Sequence, residues 1–171
     1  MVSRIHEMNN ASISSRPFQG FTLIELLIVM TILTTVLGLG LSSFSRFNRG
    51  ERLKQSALTL KSQLRFAQAK AISAEKPSVG CTQFVGMQLL FTATTYVIQH
   101  ECNPEGLVGT KDIISLPSDV TFSPIPTDFT FQTLTNIVDI TGDQTITLTN
   151  GSQSYSIVVS SNGTVSDSGF L

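Results

Sequence analysis

The sequence predicts an α+β chain, one long N-terminal helix followed by an antiparallel β domain. Three observations carry this. Residues 21–45 form a run of 25 with a single charge, Glu25. From Leu53 to Ala71 an apolar residue recurs at every third or fourth position, the spacing of one helix face. From Val79 onward Thr, Val, Ile and Phe dominate and the helical spacing is gone.

Composition bounds the rest. The 171 residues have room for one domain and an anchor. They are 41% hydrophobic and 13% charged, and the apolar excess is local to the N-terminal run. Net charge is −1, but all eleven Lys and Arg lie at or before Lys111. Beyond it stand six acids, Asp112, Asp119, Asp128, Asp139, Asp143 and Asp167, and no base. That end repels polyanions, so nucleic acid is not expected as a partner.

The first element is a polar stretch, residues 1–20, rich in Asn and Ser, with Arg4 and Arg16. Pro17 and Gly20 disfavour helix just before the apolar run, and the stretch reads as a disordered leader. The run itself, 21–45, would make a helix about 37 Å long, against a hydrocarbon core of about 30 Å. A buried core helix seldom stays apolar on every face for so long. A secretory signal would be shorter and would end at small residues; SSFSRFNRGERLKQ offers no such site.

Within this run GFTLIELLIVMTIL, Gly20 to Leu33, resembles the N-terminal signature of type IV prepilins and type II secretion pseudopilins. Gly, Phe, Thr, Leu, Ile and Glu match in order, directly before the apolar stretch. The resemblance implies that a prepilin peptidase cuts after Gly20 and methylates the new amine of Phe21. It places Glu25 fifth in the mature chain, where the family's glutamate pairs with the N-terminal amine of a neighbouring subunit during assembly. A lone carboxylate in an apolar medium costs several kcal/mol or takes up a proton. A cationic partner recovers much of that loss at low dielectric. A glutamate snorkelling at the membrane surface is the plainer reading. The partners implied are the peptidase, other pilin or pseudopilin subunits, an inner-membrane assembly platform and membrane lipid.

Orientation is contested. The leader has two bases, whereas residues 46–65 have six: Arg46, Arg49, Arg52, Lys54, Lys61 and Arg65. A plain count would keep the C-terminal domain in the cytoplasm. The resemblance implies the opposite, a cytoplasmic leader and a periplasmic or exterior domain.

The next element, residues 46–76, continues the helix. Leu53, Ala57, Leu60, Leu64, Ala67 and Ala71 form the apolar stripe, and Phe66 and Ile72 are expected to widen it. Pro77 ends the helix, which would run from about Phe21 to Glu75. Gly38, Gly40 and Asn48 to Gly50 make 38–50 a soft segment, expected to bend or unwind on assembly.

Residues 77–171 read as one antiparallel sheet of six or seven short strands. VGCTQFVGMQLLF and TTYVIQHEC flank a turn at Thr92 to Thr94. DIISL, VTF and DFTFQTL follow, then QTITLTN and QSYSIVVS around Asn150-Gly151-Ser152, which suggests a type I′ hairpin. SNGTVS repeats the Asn-Gly signal. Helix then β domain is the order of a pilin. ITLTNGSQSYSIVVSSNGTVS and LKSQLRFAQAKAISAEKPSV resemble, more loosely, H-type pseudopilins and minor pilins.

The chemistry of a site is sparse. Cys81 and Cys102 fall close together across the first hairpin and are expected to pair in an oxidising compartment, free buried thiols being the alternative. In HEC, His100 to Cys102, the adjacent Glu101 points to the other side of a strand, and His6 lies in the leader, so no metal is expected. No nucleophile elbow or phosphate loop is present, so neither catalysis nor a cofactor is expected. The functional expectation is a structural minor pilin or pseudopilin of a secretion or pilus filament. A DNA-uptake minor pilin and a single-span adhesin or receptor are the alternatives.

Overall fold

The computed structural model describes residues 20–171 and, for residues 39–43, 110 and 111, their backbone only. The leader expected at 1–20 therefore lies, apart from Gly20, outside the described residues. One helix, α1 (Leu23–Ile72), precedes eight strands. The fold is α+β. By compactness the chain divides after Ser42. The first unit holds the apolar part of α1; the second holds its remaining residues and every strand.

In the second unit the apolar stripe is the centre of the core. Leu53, Ala57, Leu60, Leu64, Ala67 and Ala71 are all fully buried. Three leucines and three alanines share this face, and each buried leucine contributes about 2 kcal/mol. Phe66 and Ile72 do not widen the stripe; they are 51% and 41% exposed. Phe66 lies instead beneath the Lys70 ammonium, 4.9 Å from its ring centre, which gives the ring a polar neighbour.

The helix stops three residues before the expected Glu75. Ala74 adopts φ +51°. The Glu75 N–H donates to the Lys70 carbonyl and the Ala74 N–H to the Ala71 carbonyl, both at 3.1 Å. That pair is a Schellman cap with alanine where glycine is usual. A Cβ in the left-handed region costs about 1 kcal/mol. Ala74→Gly should therefore stabilise the chain by about 0.5–1 kcal/mol, read as a raised denaturant midpoint with unchanged slope.

The strands form two four-stranded antiparallel sheets, not one. The first has the order β3 (Gly106–Ser115), β2 (Thr95–Asn103), β1 (Gln83–Phe91), β5 (Phe129–Gln132). The second has β4 (Thr121–Phe122), β6 (Gln144–Thr149), β7 (Ser154–Val159), β8 (Val165–Phe170). The first hairpin turns where expected: the Thr92 hydroxyl accepts from Thr95 N–H at 3.0 Å. At the β6–β7 turn, Asn150 N–H donates to the Gln153 carbonyl. Gly151, at φ +81°, is the first central residue and has the only positive φ there. That is the type II′ pattern rather than the expected type I′. Phe91, Phe122, Phe129 and Phe131 stack edge-on or tilted at 5.5–5.8 Å and fill the space between the sheets with Leu89, Ile146, Leu148 and Ile157.

Charge holds the helix to the strands. The uneven charge of the sequence is an internal complement: bases on α1, acids and carbonyls on the β domain. Arg52 pairs with Asp119 at 3.3 Å, and Lys61 pairs with Asp167. The Arg65 guanidinium donates to the Val165 carbonyl and the Gln68 amide to that of Gly163. Since β8 is an edge strand, these contacts also cover groups that would invite another strand.

Candidate functional site

The N-terminal motif begins where α1 begins. Thr22 is the N-cap: its Oγ1 accepts from the Glu25 N–H at 3.3 Å, and its carbonyl accepts from the Leu26 N–H at 3.1 Å. Thr22-Leu23-Ile24-Glu25 thus has capping-box spacing, with only the threonine half formed. Among the described residues, the Glu25 carboxylate enters no ion pair. It sits in the first turn, where the partial positive charge of the helix N-terminus favours an anion by about 0.3–1 kcal/mol. Phe21 is 79% exposed, and Gly20 has nothing near its Cα that would hinder a side chain. Gly20, Phe21 and Glu25 therefore lie close together at an open helix start. Sequence reading passed over Thr22; Thr-x-x-Glu was the signal for it.

The helix beyond is apolar all round. Every large apolar side chain from Leu23 to Leu37 is exposed, from 45% at Val29 to 88% at Leu23. Such a surface needs a bilayer or other helices to cover it. Its hydroxyls are already satisfied. Thr31 donates to Ile28 O, Thr34 to Met30 O and Thr35 to Ile32 O, at 2.8–3.0 Å, so none demands water in an apolar medium. Among the described residues, no helix is long and apolar enough to cross a membrane. The side chains described in the apolar run leave out residues 39–43.

The second unit offers few reactive groups. The Cys81 and Cys102 sulfurs are bonded, with Cα atoms 5.5 Å apart. Cys81 lies just ahead of β1, and Cys102 sits on β2 opposite Phe84. His100 packs on the Phe84 ring, its Nδ1 buried without a partner among the described residues. Burial, then the Lys70 charge, holds its pKa below the ordinary histidine value, which favours the neutral ring. Glu101 accepts from the Thr130 hydroxyl at 2.7 Å and faces away from both. Among the described residues, no three His, Cys, Asp or Glu side chains group so as to hold a metal ion.

One network was not foreseen from the sequence. Asp167 receives Lys61 on one oxygen and the Tyr155 hydroxyl on the other, the latter at 2.9 Å. Lys61 first, then Tyr155, holds the Asp167 carboxyl below its ordinary pKa. A depressed carboxyl contributes stability above the unfolded value, about pH 3.9, and loses it as pH falls toward the folded value. Unfolding followed from pH 5 to pH 2 should show an acid-side loss that is shallower in Asp167→Asn.

Residues 15–41 match a family model described as the prokaryotic N-terminal methylation motif, the hallmark of type IV pilins and pseudopilins. The motif implies a membrane-anchored precursor, processing by prepilin peptidase and assembly with other pilins. No curated protein and no solved structure matches the chain.

Proposed function

We propose that the chain is a structural subunit, a minor pilin or pseudopilin, of a type II secretion or type IV pilus filament. In this reading residues 1–20 are the leader, 21–45 a membrane span that becomes filament core, 46–76 the amphipathic continuation and 77–171 the β domain. Prepilin peptidase cuts after Gly20 and methylates Phe21. The observation that carries the reading is the methylation motif at residues 15–41, whose apolar helical part carries one charge, a carboxylate without an ion pair among the described residues.

Two further observations support the orientation with the β domain outside the cytoplasm. Three of the six bases that opposed it, Arg52, Lys61 and Arg65, are engaged by Asp119, Asp167 and a β8 carbonyl. The Cys81–Cys102 bond suits an oxidising compartment. The role is assembly rather than catalysis. The DNA-binding alternative gains nothing, since beyond Lys76 the β domain has one base, Lys111.

Glu25→Ala tests the mechanism. The precursor should be cut as efficiently as the parent, while recovery in sheared filaments falls at least about tenfold, the factor that about 1.4 kcal/mol of lost pairing produces. Undiminished recovery would remove the role given to Glu25.

A further inference from the structure

Four of the six bases after the apolar run remain without ion pairs among the described residues: Arg65, which donates to the Val165 carbonyl, and Arg46, Arg49 and Lys54. Two of them line one cavity. It has a volume of about 730 Å³ and lies where α1 enters the second unit, beside the β6–β7 turn. Arg46, Phe47, Arg49 and Gly50 face it from the helix, and Ser152, Gln153 and Phe170 from the strands. Glu51 and Asn150 also line it.

The walls are held in place. The Asn150 amide donates to the Arg49 carbonyl at 3.2 Å, and its own oxygen accepts from Ser152 and Gln153 N–H groups. Gly50 is buried, and a Cβ there would meet Gln153 Oε1 at 2.8 Å. The turn therefore packs directly on the helix backbone, and the two arginines beside it are exposed. Phe47 and Phe170 line the cavity and are 64% and 47% exposed, and Phe44, one turn before Phe47 on the helix, is 63% exposed.

We propose that this cavity binds the phosphodiester headgroup of an anionic phospholipid, with Arg46 and Arg49 on the phosphate and Phe44 and Phe47 in the adjoining acyl boundary. The inference rests on the membrane-anchor reading above. Its own support is the chemistry. Two guanidiniums supply two cationic forks, the geometry suited to phosphate oxygens. Exposed aromatics beside an apolar run are what a headgroup layer accommodates. Phe44 lies at the end of that run and Arg46 follows it directly in the chain, which places the arginines at headgroup level whenever the run is in the bilayer. Glu51 opposes an anion, so the two arginines must outweigh one carboxylate. The proposal also gives a use to bases that the orientation argument leaves over.

The chain contains no tryptophan, so Phe47→Trp introduces a single reporter. Full-length Phe47→Trp is reconstituted in bilayers of phosphatidylcholine alone and with 30% phosphatidylglycerol. A headgroup-attached spin label on the minor lipid serves as quencher. Quenching should be at least about threefold greater with labelled phosphatidylglycerol than with labelled phosphatidylcholine. The preference should disappear in Arg46→Gln/Arg49→Gln. Equal quenching by both lipids overturns the proposal. So does blue-shifted emission that neither label quenches, which would mean that a second protein chain fills the cavity. Loss of the preference on adding millimolar glycerol phosphate would assign the site to a soluble phosphate and overturn the lipid source. Alkaline carbonate extraction is run in parallel. Release of the chain from the bilayer would sink the anchor reading itself, whereas retention without the lipid preference sinks only this one.

Discussion

Gly163→Ala should destabilise the chain by about 4 kcal/mol, the sum of two separable effects. Gly163 has φ +82°, where a side chain costs about 1–2 kcal/mol. A Cβ would also stand 2.0 Å from the Asn136 carbonyl oxygen and 2.7 Å from the Gln68 amide nitrogen. The first of these is backbone and cannot swing aside, and overpacking of this kind costs a further 1–3 kcal/mol or so. Three elements meet at this residue. The Gly163 N–H closes the β7–β8 turn on Ser160 O, its carbonyl accepts from Gln68 on α1, and Val138 N–H binds the Ser161 carbonyl beside it. Displacing the turn loosens helix and sheet together. Gly106→Ala is the control: φ is +79°, with no atom within 4 Å of the added carbon. It should lose only the backbone share, about 1–2 kcal/mol. Equal losses in denaturant titrations would show that the close contact contributes nothing.

Gly20→Ala should abolish processing while leaving the fold untouched. A Cβ at Gly20 meets nothing within 4 Å, and the backbone there is outside the left-handed region. No structural requirement for glycine exists at this position, so any effect reports the peptidase. Full-length precursor should accumulate in the membrane, with an unfolding midpoint equal to the parent's. The two glycines thus separate: one is needed by the turn it makes, the other by the enzyme proposed to read it. A processed Gly20→Ala chain would remove the cleavage assignment.

The parts of the fold that local periodicity controls were legible. The six-residue stripe on α1 is fully buried because a 3.6-residue repeat puts all six on one face. Phe66 and Ile72 were misread because an apolar side chain near a stripe says nothing of how far the partner surface extends. The helix end was misplaced because Ala74 occupies a left-handed cap that glycine usually signals. Strand content was legible from β-branched runs, yet the division into two sheets was not. Whether β5 pairs with β1 depends on contacts some 40 residues apart, which no local pattern encodes. β8 was hidden for a related reason: VSDSGF is polar, and its ladder with β7 is supported by the Lys61–Asp167 pair and the Arg65 contact across the fold.

At the site, the motif residues Gly20, Phe21 and Glu25 could be named from sequence because the signature is contiguous. Thr22 carried an equally local signal, and the structure gives it a defined task as the N-cap. The surplus of bases after the apolar run was visible as composition. Its meaning needed the fold, since only pairing separates Arg52, Lys61 and Arg65 from Arg46 and Arg49.

In the proposed role Phe21 becomes the N-terminus of a filament subunit. Intact-mass and N-terminal peptide analysis of the chain, extracted from membranes of cells that contain prepilin peptidase, tests it most directly. The expected product begins with N-methylated Phe21 and lacks residues 1–20. A chain that retains its first 20 residues, or begins at any residue other than Phe21, would contradict it.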